Sequence, residues 1–121
     1  MNLEERIEAF VQLRVALESL TPAEREIVYQ KAAQYNPWFT SVNIDQALLG
    51  IGKFLTREVL INWTKAYSLP TNPKKIGVAM AGNIPLVGFH DLLCVLIAGH
   101  TLVAKLSSQD TVLMQYAKSK I

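Results

Sequence analysis

Apolar residues in the first part of the chain recur every three or four positions. Leu3, Ile7, Phe10, Leu13, Leu17 and Leu20 are separated mainly by Glu and Arg, a spacing that predicts an amphipathic helix. Thr21-Pro22-Ala23-Glu24 then reads as an N-cap, a proline at the first helical position and a capping-box glutamate. The helix it opens is predicted to run to about Gln34, because Asn36 precedes Pro37 and a residue before proline avoids the helical region. Asn43-Ile44-Asp45-Gln46 predicts a third start, with Ile44, Leu48, Ile51 and Leu55 on one face. Thr56 is the cap expected for a fourth helix carrying Val59, Leu60, Trp63 and Tyr67, with a tail reaching the prolines. Such helices either form a packing layer or present a face to a partner.

The rhythm changes after Leu69-Pro70-Thr71-Asn72-Pro73-Lys74-Lys75, where two prolines forbid a continuous helix. Ile76-Gly77-Val78-Ala79-Met80 is a short apolar run, expected as a strand buried on both faces. Ala81-Gly82-Asn83-Ile84-Pro85 reads as a turn whose proline begins a buried helix, Leu86 to Ala98, with Gly99 as its C′ residue. Thr101-Leu102-Val103-Ala104-Lys105 predicts a second strand. Ser107-Ser108-Gln109-Asp110 offers caps for a last helix through Val112, Leu113, Tyr116 and Ala117. Strand, helix, strand and helix in that order, with this crossover length, predict a parallel βαβ unit, half of a nucleotide-binding architecture. The expected fold class is therefore α/β. Residues 1–70 form an N-terminal helical segment, and residues 71–121 form the start of a Rossmann-like parallel-sheet nucleotide-binding domain. Two parallel strands alone leave apolar edges and faces open. The chain is thus expected to be a truncated piece of a longer enzyme, or to have its sheet completed by another chain; homo-oligomerisation is compatible with this.

Charge follows the same division. Residues 1–75 hold 17 of the Asp, Glu, Lys and Arg residues and residues 76–121 hold five; between Ile76 and Leu106 the only charges are Asp91 and Lys105. Of the 121 residues, 50% are hydrophobic and 18% charged, which excludes disorder and low complexity. The net charge is only +2 and the one basic run is Lys74-Lys75, so nothing points to nucleic acid. A single cysteine, Cys94, excludes an internal disulfide and a cysteine-rich zinc site, and His90 and His100 lack a ligand set, so no metal is expected. The acidic N-terminus is not expected to act as a signal peptide, and the run Leu92–Ala98 is far too short to span a membrane. A soluble, cytoplasmic protein is expected.

Two stretches carry more specific information: Gly77-Val78-Ala79-Met80-Ala81-Gly82-Asn83-Ile84-Pro85-Leu86, and Leu96-Ile97-Ala98-Gly99-His100-Thr101-Leu102-Val103-Ala104-Lys105-Leu106-Ser107-Ser108. Together they resemble the cofactor-binding core of the aldehyde dehydrogenase superfamily. There a strand leads into an Asn-aromatic/aliphatic-Pro turn, a helix ends in Ala-Gly-Asn, and a second strand ends in Lys-Pro-Ser-Glu. The form most similar is the acyl-CoA reductase branch, the long-chain fatty acyl-CoA reductases of bioluminescence, where Gly-Asn-Ile-Pro replaces Trp-Asn-Phe-Pro. The likeness covers about residues 74–121.

The resemblance implies an NAD(P)H-dependent acyl-CoA reductase. A cysteine takes the acyl group from coenzyme A, and a reduced nicotinamide delivers hydride to give the aldehyde. Asn83 would be the catalytic amide that stabilises the carbonyl oxygen; its structural alternative is to cap the following helix. Gly82, Ile84, Pro85, Lys105, Ser107 and Ser108 would contact the nucleotide, Gly82 by letting the backbone approach it or merely by making a turn. Ser107 and Ser108 can also cap the last helix. Ser108 stands where NAD-preferring relatives carry a glutamate, which implies NADPH as cofactor with NADH also accepted.

The sequence also departs from that pattern. The family's nucleophilic cysteine and glutamate base lie downstream of this motif, so these 121 residues alone are expected to be inactive. Cys94, mid-helix among leucines, reads as a small buried hydrophobe. Adjacent His90 and Asp91 diverge on a helix and form no pair. His100 occupies a turn, and Trp38 and Trp63 read as packing or surface anchors. The alternative reading is a small helical interaction or membrane-surface module, with an apolar hairpin over Leu86–Ala104 and no catalysis.

Overall fold

The structure, a computed structural model, describes residues 1–121 as six helices and two strands. The first helix, α1 (Leu3–Glu18), is capped by the Asn2 side chain, which accepts from Glu5 N at 2.9 Å. It buries Ile7, Phe10, Leu13 and Leu17, the predicted stripe. In α2 (Pro22–Tyr35) Thr21 is the cap, and half of the expected capping box forms: Thr21 Oγ1 accepts from Glu24 N at 3.1 Å, while the Glu24 carboxylate accepts from the Thr21 hydroxyl at 3.0 Å and not from the Thr21 backbone N–H.

Two bounds among the next two helices differ from the prediction. α3 (Ser41–Phe54) starts ahead of Asn43, because Thr40 Oγ1 is its cap and accepts from Asn43 N at 3.2 Å. α4 (Arg57–Thr64) has the expected Thr56 cap but stops before Tyr67. Thr64 turns its hydroxyl back onto Leu60 O at 2.8 Å, a side-chain bond that competes with helix propagation. Arg57 holds both Glu4 and Glu8 of α1.

The second half is a parallel βαβα unit. β1 (Lys75–Ala79) pairs with β2 (Thr101–Lys105) in the register Ile76–Leu102 and Val78–Ala104. The two strands are the whole sheet. The expectation of burial on both faces fails: Ile76 and Val78 are half-buried, while Lys75, Gly77 and Ala79 are exposed. The run is one-sided because its outward positions are glycine and alanine, which have little surface to bury. Between the strands, α5 (Phe89–Ile97) buries Phe89, Leu92, Leu93 and Ile97. It ends in a Schellman arrangement: Gly99 takes φ +91° and donates to Leu96 O, and His100 N donates to Val95 O at 3.1 Å. The last helix, α6 (Thr111–Ser119), buries Leu113, Met114 and Ala117. Where the alternative reading places a helical hairpin, Thr101–Lys105 is a strand.

The halves share one cluster of 19 buried hydrophobic residues. Arg6 Nε on α1 donates to Ile97 O at the end of α5 (3.0 Å), and Asn36 Nδ2, just past α2, donates to Gly82 O at 3.1 Å. No helix is long and apolar enough to cross a membrane.

Candidate functional site

Loops at the carboxyl ends of β1 and β2 gather most of the residues singled out in the sequence. The first loop does not start a helix at Pro85. It runs through a series of turns to Gly88, with Val87 N donating to Ile84 O and Phe89 N to Leu86 O, before α5 begins at Phe89. Leu86 is the reason, because its φ of +58° lies in the left-handed region and no right-handed helix passes through it. The peptide N–H of Leu86 donates at 2.7 Å to Asp110 Oδ2, a carboxyl only 2% exposed at the N-cap position of α6. Asp110 therefore does not cap its own helix. Burial pushes its pKa up to about 7, with the Leu86 N–H pulling the other way, and its second oxygen, Oδ1, is buried without a partner.

A contact of shape accompanies this bond. A Cβ on Gly82 would lie 2.3 Å from Ser107 Oγ and 2.6 Å from Ser107 Cβ, so the two loops meet only because residue 82 has no side chain. Ser107 Oγ in turn accepts from Gln109 N at 3.2 Å.

Beside the first loop opens a cavity of about 670 Å³, walled by α3 and by Asn83–Val87, with Trp38, Phe54, Phe89 and His90 around it. Asn83, Ile84 and Pro85 all line it. The capping alternative for Asn83 is not what forms: Gly88 is the N-cap of α5, and the exposed Asn83 amide has no hydrogen bond within the chain. Ser108 faces elsewhere, into a separate depression of about 510 Å³ with Lys31 and Tyr35 of α2 and Tyr116 of α6. Lys105 is exposed at the end of β2, where its carbonyl accepts from Met80 N. The seven predicted site residues thus fall into a cavity group (Asn83, Ile84, Pro85), a packed pair (Gly82, Ser107) and two exposed positions on the β2 side (Lys105, Ser108).

The remaining candidates are local. Cys94 is half-buried rather than buried. Its thiol is pushed up by burial and by the charge of Asp91, which leaves it unactivated as a nucleophile. His90 Nε2 lies 3.6 Å from its sulfur, and the ring rests near Phe54 and stacks on Trp63 at 6.3 Å. His100 Nδ1 accepts from Lys74 N, closing the turn into β1. Trp38, 79% exposed, stands at the cavity's mouth. The sequence reading missed Asp110 and Asn36, the two side chains that hold the first loop. Their only sequence signal is a polar side chain at a helix end, and that does not name a partner dozens of residues away.

What the arrangement offers chemically is an amide with free donors at the lip of a mainly apolar cavity, on a loop fixed from three sides. Comparison with protein-family models, curated proteins and solved structures gives no match to this chain.

Proposed function

We propose that the chain forms the nucleotide-side portion of an NAD(P)H-dependent acyl-CoA reductase of the aldehyde dehydrogenase type. The observation that carries this reading is the unpaired Asn83 amide, which lines the cavity just beyond the carboxyl end of a strand in a parallel βαβ unit. In open parallel sheets that end is where ligands bind. As a thioester carbonyl becomes tetrahedral, its oxygen gains negative charge. A donor already aimed at that position stabilises the charge by about 3 kcal/mol, with no reorganisation.

The nucleotide would supply the hydride when bound. The β2 side fits it in part. Lys105 and Ser108 are exposed and free to meet a ribose or its 2′-phosphate, and Lys31 adds a cation beside Ser108. Gly82 and Ser107 do not fit a contact role, since each is packed against the other. Within this reading they shape the loop instead. No group here is activated to attack a thioester, because the Cys94 thiol is pushed up, so the nucleophile belongs to further chain. The acyl-CoA substrate and a cytoplasmic location are parts of the same proposal.

The test is Asn83→Ala in the enzyme that contains this chain. The kcat for acyl-CoA reduction should fall on the order of a hundredfold, with nucleotide affinity unchanged. An unaltered kcat, or no acyl-CoA reduction by the parent enzyme, overturns the reading.

A further inference from the structure

Leu86 and Asp110 stand out among everything the site chemistry leaves unused. A branched, almost fully buried side chain in the left-handed region is strained and persists only where its surroundings impose it. Here the surroundings are specific. The buried Asp110 carboxyl takes the Leu86 N–H, Asn36 takes the carbonyl of Gly82, and Gly82 abuts Ser107. The clamped segment is also the wall that presents Asn83, Ile84 and Pro85 to the cavity.

The carboxyl is held by one donor. Oδ2 has the Leu86 N–H, and Oδ1 is buried with nothing to bond. An ionised carboxylate has room for about four donors, and burying it with one is far more costly than burying the neutral acid. No ion pair compensates it. The loop from Ala81 to Gly88 has no ionisable residue. Lys105 on β2, His90 and Asp91 on α5, and Lys118 and Lys120 on α6 are all exposed. On α2, which packs against α6, the charged residues Glu24, Arg25, Glu26 and Lys31 are exposed as well. Tyr116 of α6 and Tyr29 of α2 are the buried or half-buried ionisable groups on those helices, and neither bonds Asp110.

We propose that Asp110 is a proton-controlled latch: as the neutral acid it holds the Leu86 turn and with it the Asn83 wall of the cavity, and on ionisation it moves toward water and releases that wall. The shift of its acidity toward neutrality agrees with this geometry and puts the transition in a physiological range. The latch belongs to the shape of the loops and stands whether or not the cavity serves acyl-CoA reduction.

The experiment follows the backbone amide NMR signals of Asn83, Ile84, Leu86 and Val87 in the full 121-residue chain, from about pH 5 to 9. In the wild type they should shift together, with one midpoint near neutrality. Asp110→Asn keeps an acceptor for Leu86 but cannot ionise, so its signals should stay at their low-pH positions throughout. Asp110→Ala removes the acceptor and should show the released positions at every pH. His90→Gln, which removes the one ionisable side chain that lines the cavity, should leave the transition intact. The proposal is overturned if the wild-type signals do not move, if they move equally in Asp110→Asn, or if His90→Gln abolishes the transition.

Discussion

Gly82 and Ser107 touch across the ends of the two strands, so closely that a single added carbon at residue 82 would sit 2.3 Å from the serine oxygen. The φ of Gly82 is not positive, so this glycine is required for space and not for backbone conformation. Gly82→Ala should therefore destabilise the fold by about 1–3 kcal/mol through overpacking. Adding Ser107→Gly removes both nearest atoms and should restore part of the loss. Denaturant unfolding of the two single variants and the double variant measures this. Strictly additive losses would mean that the two residues do not compete for the same space.

Asp110 makes a prediction about pH and stability. Its pKa rises from the ordinary 3.8 to about 7 in the folded chain because burial disfavours the charge. Between those values the folded state holds a proton that the unfolded state has released, so raising pH favours unfolding. The stabilising contribution is complete below about pH 4, falls as pH rises through neutrality and is flat above that range. The difference in melting temperature between wild type and Asp110→Asn, measured across this interval, should follow the same curve. A difference that does not change with pH would remove Asp110 from the list of titrating groups.

Helix starts were legible because capping is local chemistry: Thr21 with Glu24, and Thr56 ahead of Val59, announce themselves within four residues. Thr40 went unread because it follows Pro37-Trp38 and competes with Asn43, which looks like a cap but is the residue being capped. The parallel pair was legible from Ile76–Met80 and Thr101–Lys105. Its one-sided burial was not, since glycine and alanine count as apolar while alternating with Ile76, Val78 and Met80. Pro85 suggested a helix start that Leu86 forbids, and no sequence rule foresees a leucine at φ +58°. The bond that imposes it joins residues 24 apart, so only the fold brings the partners together. The candidate residues were legible as lying at the ends of the two strands, but their division between two depressions on different sides of the loops was not.

Leu86 lets two opposing magnitudes be weighed. Leu86→Gly would relieve about 1–2 kcal/mol of left-handed strain. It would also remove a side chain that is 4% exposed, a loss of about 2–5 kcal/mol, and add backbone freedom to the unfolded chain. The loss is the larger effect, so this variant should melt lower despite its easier backbone. A higher melting temperature would show that strain, not burial, dominates at this turn.

Ser108 bears on nucleotide choice within the proposed function. It is exposed on the α2–α6 side, and Lys31 lines the same depression. A serine hydroxyl can donate to a 2′-phosphate, and a neighbouring ammonium adds attraction, whereas a carboxylate would repel the phosphate and accept from a free 2′-hydroxyl. A purely structural role as helix cap is not what Ser108 performs: Asp110 occupies the N-cap position of α6, and no side-chain bond caps that helix. NADPH should therefore be used at least as well as NADH by the enzyme containing this chain. Ser108→Glu should lower kcat/KM for NADPH selectively, by on the order of tenfold or more, as expected for bringing a like charge against a phosphate. Lys31→Ala should weaken NADPH in the same direction with little effect on NADH, because the latter has no 2′-phosphate for the lysine to meet. Equal losses with both nucleotides in Ser108→Glu, or an enzyme that ignores NADPH from the outset, would show that this depression does not read the 2′-phosphate.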